Sequence, residues 1–181
     1  MRGEESSFGN LVADALRSEL GAQVGVVNGG FVRGDNVHAA KTTVTVGLLM
    51  KEMPFPRPAV LLRIKVRDLK EALEQHLRVY PALSGAFPHV SGLRVVYARS
   101  GADGPKISVL QDDAGRDLEL DADVTVATTK FVCGGGDGCV AWKKATLLSE
   151  HDPIATEVVR FVEKKRILSY PAKEGRLIIV D

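Results

Sequence analysis

Eight residues constrain this chain more than any others: Phe131-Val132-Cys133-Gly134-Gly135-Gly136-Asp137-Gly138. They follow Val124-Thr125-Val126-Ala127-Thr128, a β-branched run that predicts a buried strand. Three consecutive glycines after a strand leave backbone amides bare and let another group come close. Asp137 adds an acceptor-only carboxylate suited to a pair of hydroxyls, and Phe131 adds a flat apolar face. One aromatic face, an open backbone and one carboxylate together suit a nucleoside. The same octet also makes a glycine-rich turn with a core Phe and a turn-stabilising Asp. On the octet alone, that plainer reading has the edge.

The chain has 181 residues, 45% hydrophobic and 26% charged, enough for one sizeable core. A formal net charge of +1 argues against a broad nucleic-acid or membrane-surface footprint. No apolar run approaches the ~20 residues of a spanning helix. Met1-Arg2-Gly3-Glu4-Glu5 has no apolar stretch of the kind an export signal carries. The two cysteines, Cys133 and Cys139, are too few for a disulfide framework or a zinc site, so free thiols are expected. A bridge across the glycine turn stays open if the protein is exported.

Phe8, Leu11, Val12, Ala15, Leu16 and Leu20 fall at helical spacing, with Ser6 or Ser7 as N-cap and Gly21 closing the helix. Residues 24–27 predict a short buried strand ending in Asn28-Gly29-Gly30-Phe31-Val32-Arg33, a second glycine-rich turn. Residues 42–46 alternate like the start of a strand, and 47–52 read as a helical turn stopped by Pro54. Pro54-Phe55-Pro56-Arg57-Pro58 reads as a loop, because three prolines oppose helix and ladder alike. Val60, Leu62, Ile64 and Val66 alternate with Leu61, Arg63 and Lys65 in a half-buried strand. Asp68 is expected to cap a helix carrying Leu69, Ala72, Leu73, His76 and Leu77. Residues 93–98 and 107–110 read as strands, with a hairpin turn at 112–115. Asp152-Pro153 is expected to open a further helix, and 177–180 a last strand. With no repeat and no linker, residues 1–181 read as one α+β domain.

His38, His76, His89 and His151 are scattered with no metal-ligand spacing, and His76 reads as a boundary residue beside Leu73. Trp142 reads as a packing anchor and Glu163-Lys164-Lys165-Arg166 as a solvated helix end. No Ser or Cys combines a glycine elbow with a His partner, so nucleophilic catalysis has no support.

Several motifs then form a series. Arg2-x-x-Glu5-x-x-x-Gly9-Asn10-Leu11-Val12-x-Asp14-Ala15 comes first, followed by Asn28-Gly29-Gly30-x-x-Arg33, Pro54-Phe55 and Leu73-Glu74. Phe87-Pro88-x-Val90-Ser91-Gly92, the 131–138 octet and the tail Tyr170-Pro171-Ala172-x-Glu174-Gly175-Arg176 complete it. In that order and spacing the chain resembles the C-terminal domain of the 5'-nucleotidases, including the ecto-5'-nucleotidase and UDP-sugar hydrolase branches.

The resemblance implies a layered α/β/β/α fold that holds the nucleotide, with nucleoside, adenosine or AMP, as the first expected ligand. It implies a base clamped between Phe55 and Phe131, with Asn28 on the base edge and Gly30 supplying close backbone. Asp137 would accept from the ribose hydroxyls, and Arg33 and Arg2 would hold phosphate, matching a guanidinium fork to phosphate oxygens. The plainer alternatives are core phenylalanines, an Asn that caps its turn, and surface arginines.

In that family, two divalent metals sit in a separate N-terminal metallophosphoesterase domain, in cis or in trans. The aspartates, histidines and Asn-His pair of that domain are absent from this sequence, so no cofactor is expected in this chain and it alone is expected not to hydrolyse phosphate esters. The start at the family's first motif favours a piece of a larger nucleotidase over a stand-alone domain. Location is cytoplasmic if the chain is whole, and periplasmic or extracellular if it is part of a typical member.

The sequence departs from the family in three places. Pro56-Arg57 replaces Gly-Asn after the Pro-Phe pair, Val66 replaces a glycine before the helix at Leu69, and Cys139 stands where an aromatic is common. Two other readings compete. Gly135-Gly136-Asp137-Gly138 resembles the phosphate turn of NAD and diacylglycerol kinases, although Cys139 follows it where Thr or Ser is usual. A nucleotide-sensing or interaction module without catalysis is the other.

Overall fold

The computed structural model describes residues 1–33, 36–100 and 105–181. Helix α1 (Ser7–Glu19) begins where the Ser6 hydroxyl accepts from the Gly9 amide at 3.1 Å. It ends where Gly21 takes φ +63°, a left-handed turn that suits a residue without Cβ. Strand β1 (Val24–Asn28) is buried along its length. Helix α2 (Val46–Glu52), strand β2 (Pro58–Lys65) and helix α3 (Val66–Leu77) follow. Next come β3 (Pro88–Ser91), β4 (Arg94–Ala98), β5 (Lys106–Gln111), β6 (Asp123–Thr129) and the one-turn helix α4 (Lys130–Cys133). Strand β7 (Thr146–Pro153), helix α5 (Ile154–Lys165) and strand β8 (Leu177–Val180) complete the order.

Five strands form one sheet in the order β3-β1-β6-β2-β7, with β1 and β6 parallel and the other neighbours antiparallel. A second sheet runs β5-β4-β8, with β8 parallel to β4. The period-two alternation of β2 sends Val60, Leu62 and Ile64 to one core and Ala59 and Leu61 to the other. On one face the large sheet packs against α1, α2 and α5 through Leu16, Leu49, Ile154 and Phe161. On the other it shares a core with α3 and the small sheet through Leu69, Leu73, Val95, Tyr97 and Ile107. The result is a layered α/β/β/α arrangement of the α+β class.

Four sequence expectations are corrected. Residues 42–45 are coil rather than strand, exposed except for the half-buried Val44, because the Thr45 hydroxyl is used to cap α2, accepting from the Leu48 amide at 3.1 Å. Asp68 lies inside the first turn of α3 instead of capping it. The first amides of that helix, those of Val66 and Arg67, donate to the carbonyls of Ala122 and Leu120, so no side-chain cap is needed. Asp152-Pro153 ends strand β7, where Pro153 faces Pro58 at the sheet edge, and the helix starts at Ile154. His76 is wholly buried, not a boundary residue. Its Nδ1–H donates to the Ala86 carbonyl at 2.7 Å, and its Nε2 accepts from the Trp142 indole at 2.9 Å. An indole N–H only donates, so the tautomer is set, and burial pushes the imidazole down to about 4. Trp142 is the packing anchor expected, fully buried against this imidazole.

Candidate functional site

The central strand β6 delivers Phe131 just past its C-terminal end. Thr129 caps the short helix α4, its hydroxyl accepting from the Val132 amide at 2.9 Å, and so aims the residues between them. Phe55 comes from the proline-rich loop between α2 and β2. That loop is pinned by the Arg57 amide donating to the Phe55 carbonyl at 2.8 Å and by the Ile154 amide donating to the Arg57 carbonyl at 3.0 Å. Behind Phe55 lies the buried Phe31, ring centroids 6.4 Å apart.

Both phenylalanines are partly buried and face a common guanidinium. Arg57 Cζ lies 4.1 Å from the Phe131 centroid and 5.0 Å from that of Phe55. Arg33 Cζ lies 5.2 Å from the Phe55 centroid, while its Nε donates to the Gly30 carbonyl at 2.8 Å. The slot is thus an aromatic pair that shares one planar cation.

The octet forms a tight corner beside it. Gly135 and Gly138 take φ +84° and +75°, and Asp137 itself takes φ +56°, a conformation uncommon for a residue with Cβ. Arg78 braces that strained segment from the end of α3, donating to the Asp137 carbonyl at 2.9 Å and the Gly138 carbonyl at 3.0 Å. Asp137 Oδ2 accepts from Asn28 Nδ2 at 2.9 Å, and the same amide donates to the Gly85 carbonyl at 3.2 Å. Both partners are acceptors, so the orientation of the Asn28 amide is set. Its Oδ1 is buried with no hydrogen-bond partner, which is costly unless a donor arrives. Gly136 lies flat on Phe131, where a Cβ would sit 2.4 Å from the ring.

Of the residues singled out from sequence, Asn28 and Asp137 meet directly, Phe55 and Phe131 meet through Arg57, and Arg33 stacks on Phe55. Gly30 is engaged within the protein, its amide donating to the Gly85 carbonyl at 2.8 Å and its carbonyl accepting from Arg33. Arg2 is exposed and borders, with Arg33, a cleft shared by Phe8, His38 and Tyr80. Its backbone is tied down, the Arg2 carbonyl accepting from the Ser84 amide at 2.8 Å. Sequence reasoning missed Arg78, which carries no motif. Arg57 was visible only as a departure from the family pattern.

Among the described residues, no three His, Cys, Asp or Glu side chains gather as a metal site would require. The donor set among the described residues does not fit a metal pair. Both cysteines are free, and burial pushes the Cys139 thiol up to about 11. No described helix is long and apolar enough to cross a membrane.

The family model for the 5'-nucleotidase C-terminal domain matches residues 1–144. The chain belongs to this family. It is similar, at 28% identity over 98% of its length, to the trifunctional nucleotide phosphoesterase protein YfkN of Bacillus subtilis, and at 27% over 97% to the 5'-nucleotidase of Bos taurus. The crystal structure of a 5'-nucleotidase precursor from Thermus thermophilus superposes with a TM-score of 0.86 at 26% identity, covering 99% of this chain. The chain spans 12%, 34% and 36% of those three proteins respectively.

In this 5'-nucleotidase C-terminal domain, the motifs at the two ends prove to be mutually structural. Glu5 is buried, and its carboxylate accepts from Asn10 Nδ2 at 2.7 Å and from the amides of Glu174, Gly175 and Arg176 at 3.0–3.2 Å. Burial alone would raise the Glu5 carboxyl, but these donors hold it below its usual range. Asp14 receives Arg176 in a two-pronged pair at 2.5 and 2.9 Å and the Tyr170 hydroxyl at 2.9 Å. The first helix and the tail are therefore one assembly.

Proposed function

We propose that this domain recognises the nucleoside part of a nucleotide for a 5'-nucleotidase-type phosphohydrolase. The base enters between Phe55 and Phe131, Asn28 meets its edge, and Asp137 accepts from the ribose hydroxyls. Arg33, with Arg2 further along, directs the phosphate toward a separate domain that carries the two metals. The observation that supports this reading best is the aromatic pair already holding one planar group, the Arg57 guanidinium, at 4.1 and 5.0 Å. A purine is also planar, and its stacking is worth ~1–3 kcal/mol per base where aromatic platforms have been tested. The bare Oδ1 of Asn28 supports it further, since a ligand N–H would satisfy a buried acceptor.

Calorimetric titration with adenosine, AMP and ATP tests this. The expected result is saturable binding that Phe131→Ala weakens by about 5- to 150-fold, the equivalent of one stacked base. Binding that ignores the loss of Phe131 contradicts the slot.

A further inference from the structure

Arg57 differs from its neighbours in how it is held. Arg33 and Arg78 each donate to backbone carbonyls. Among the described residues, the Arg57 guanidinium has neither a hydrogen bond nor an ion pair; its contacts are the two ring faces. Five N–H donors are thus left to solvent or to an incoming acceptor. The backbone on which it stands is fixed on both sides, by the Phe55 carbonyl and the Ile154 amide. Displacement therefore falls to the side chain's own rotatable bonds, and the loop can stay in place.

We propose that Arg57 is a selectivity element of the slot. It fills the base position in the free domain, and it favours phosphorylated ligands over neutral nucleosides. This rests on the nucleoside reading above. A base that enters must expel the guanidinium and forfeit both cation–π contacts. A neutral nucleoside offers the expelled cation nothing in return. A phosphate supplies oxygens that fit its fork, and so offsets the loss. The sequence supplies the device where the family usually has Gly-Asn, two residues that could neither fill nor guard the slot in this way.

The experiment compares adenosine and AMP by calorimetry on the full chain and on Arg57→Ala, Arg57→Lys and Phe131→Ala. In Arg57→Ala, adenosine should bind at least about fivefold tighter, the scale of the cation–π contacts released. AMP should bind no tighter, so that its advantage over adenosine collapses. Arg57→Lys keeps the charge without the stacking plane, and should retain the preference for AMP. If Arg57→Ala weakens adenosine as Phe131→Ala does, or leaves the ratio of the two ligands unchanged, the selectivity role is overturned while the slot stands. If the unaltered chain binds neither ligand, or binds regardless of Phe131, the slot falls and the role of Arg57 with it.

Discussion

Gly136 shows how closely single residues are set around the slot. A methyl group there would lie 2.4 Å from the Phe131 ring, so Gly136→Ala must push the ring off its present position. Nucleotide affinity should drop by about tenfold, in line with most of one stacking contact, and the thermal midpoint should change little because the ring is only partly buried. Unchanged affinity would place the ligand elsewhere. Glu5 belongs to the opposite class. Glu5→Ala strands four donors and should cost about 2–4 kcal/mol, read as a lower urea midpoint at unchanged slope. At this scale the sequence was most informative where a residue type has one use. The cap at Ser6 or Ser7, the turn glycines Gly21 and Gly138, and the glycine-rich turn from Phe131 to Gly138 could all be read directly. Arg78 could not, since nothing local marks an arginine whose partners lie 59 and 60 residues away.

Among the elements, α3 and β3 carry two buried imidazoles that tie distant segments together. His76 joins α3 to Trp142 and Ala86, and His89 on β3 reaches the Met1 carbonyl at 3.0 Å. Burial pushes both down to about 4 from an ordinary 6.5. The unfolded chain then takes these protons more readily than the folded one. Stability is complete above about pH 6.5 and falls as pH drops toward about 4, by up to about 3 kcal/mol per imidazole. Thermal midpoints at pH 7.5 and 5 should show the decline, and His76→Gln should flatten it while lowering stability at pH 7.5. Equal slopes in the two proteins would remove His76 as a cause. Elements with strong periodicity, such as α1 and β2, were legible from their apolar spacing. Strand β7 was not, because Thr146–Pro153 is an edge strand with exposed and polar positions, held by pairing with β2 rather than by a pattern of its own.

The whole molecule is two cores on either side of one five-stranded sheet, with the slot assembled where β6, the loop before β2 and the end of β1 converge. Both termini are pinned, so the Glu5 and Arg176 networks should make the ends unfold with the body rather than fray. On the proposed reading, recognition resides in this domain and hydrolysis in another. This chain with AMP and added divalent metal should therefore release no phosphate above a buffer control, while still binding AMP. Sustained phosphate release that scales with chain concentration would contradict that division.

The most direct test is a crystal structure of the chain soaked with adenosine or AMP. The expected result is the base between Phe55 and Phe131, the ribose on Asp137, a ligand N–H on Asn28 Oδ1, and Arg57 swung out of the slot. A base bound elsewhere, with Arg57 still seated on both rings, would contradict it.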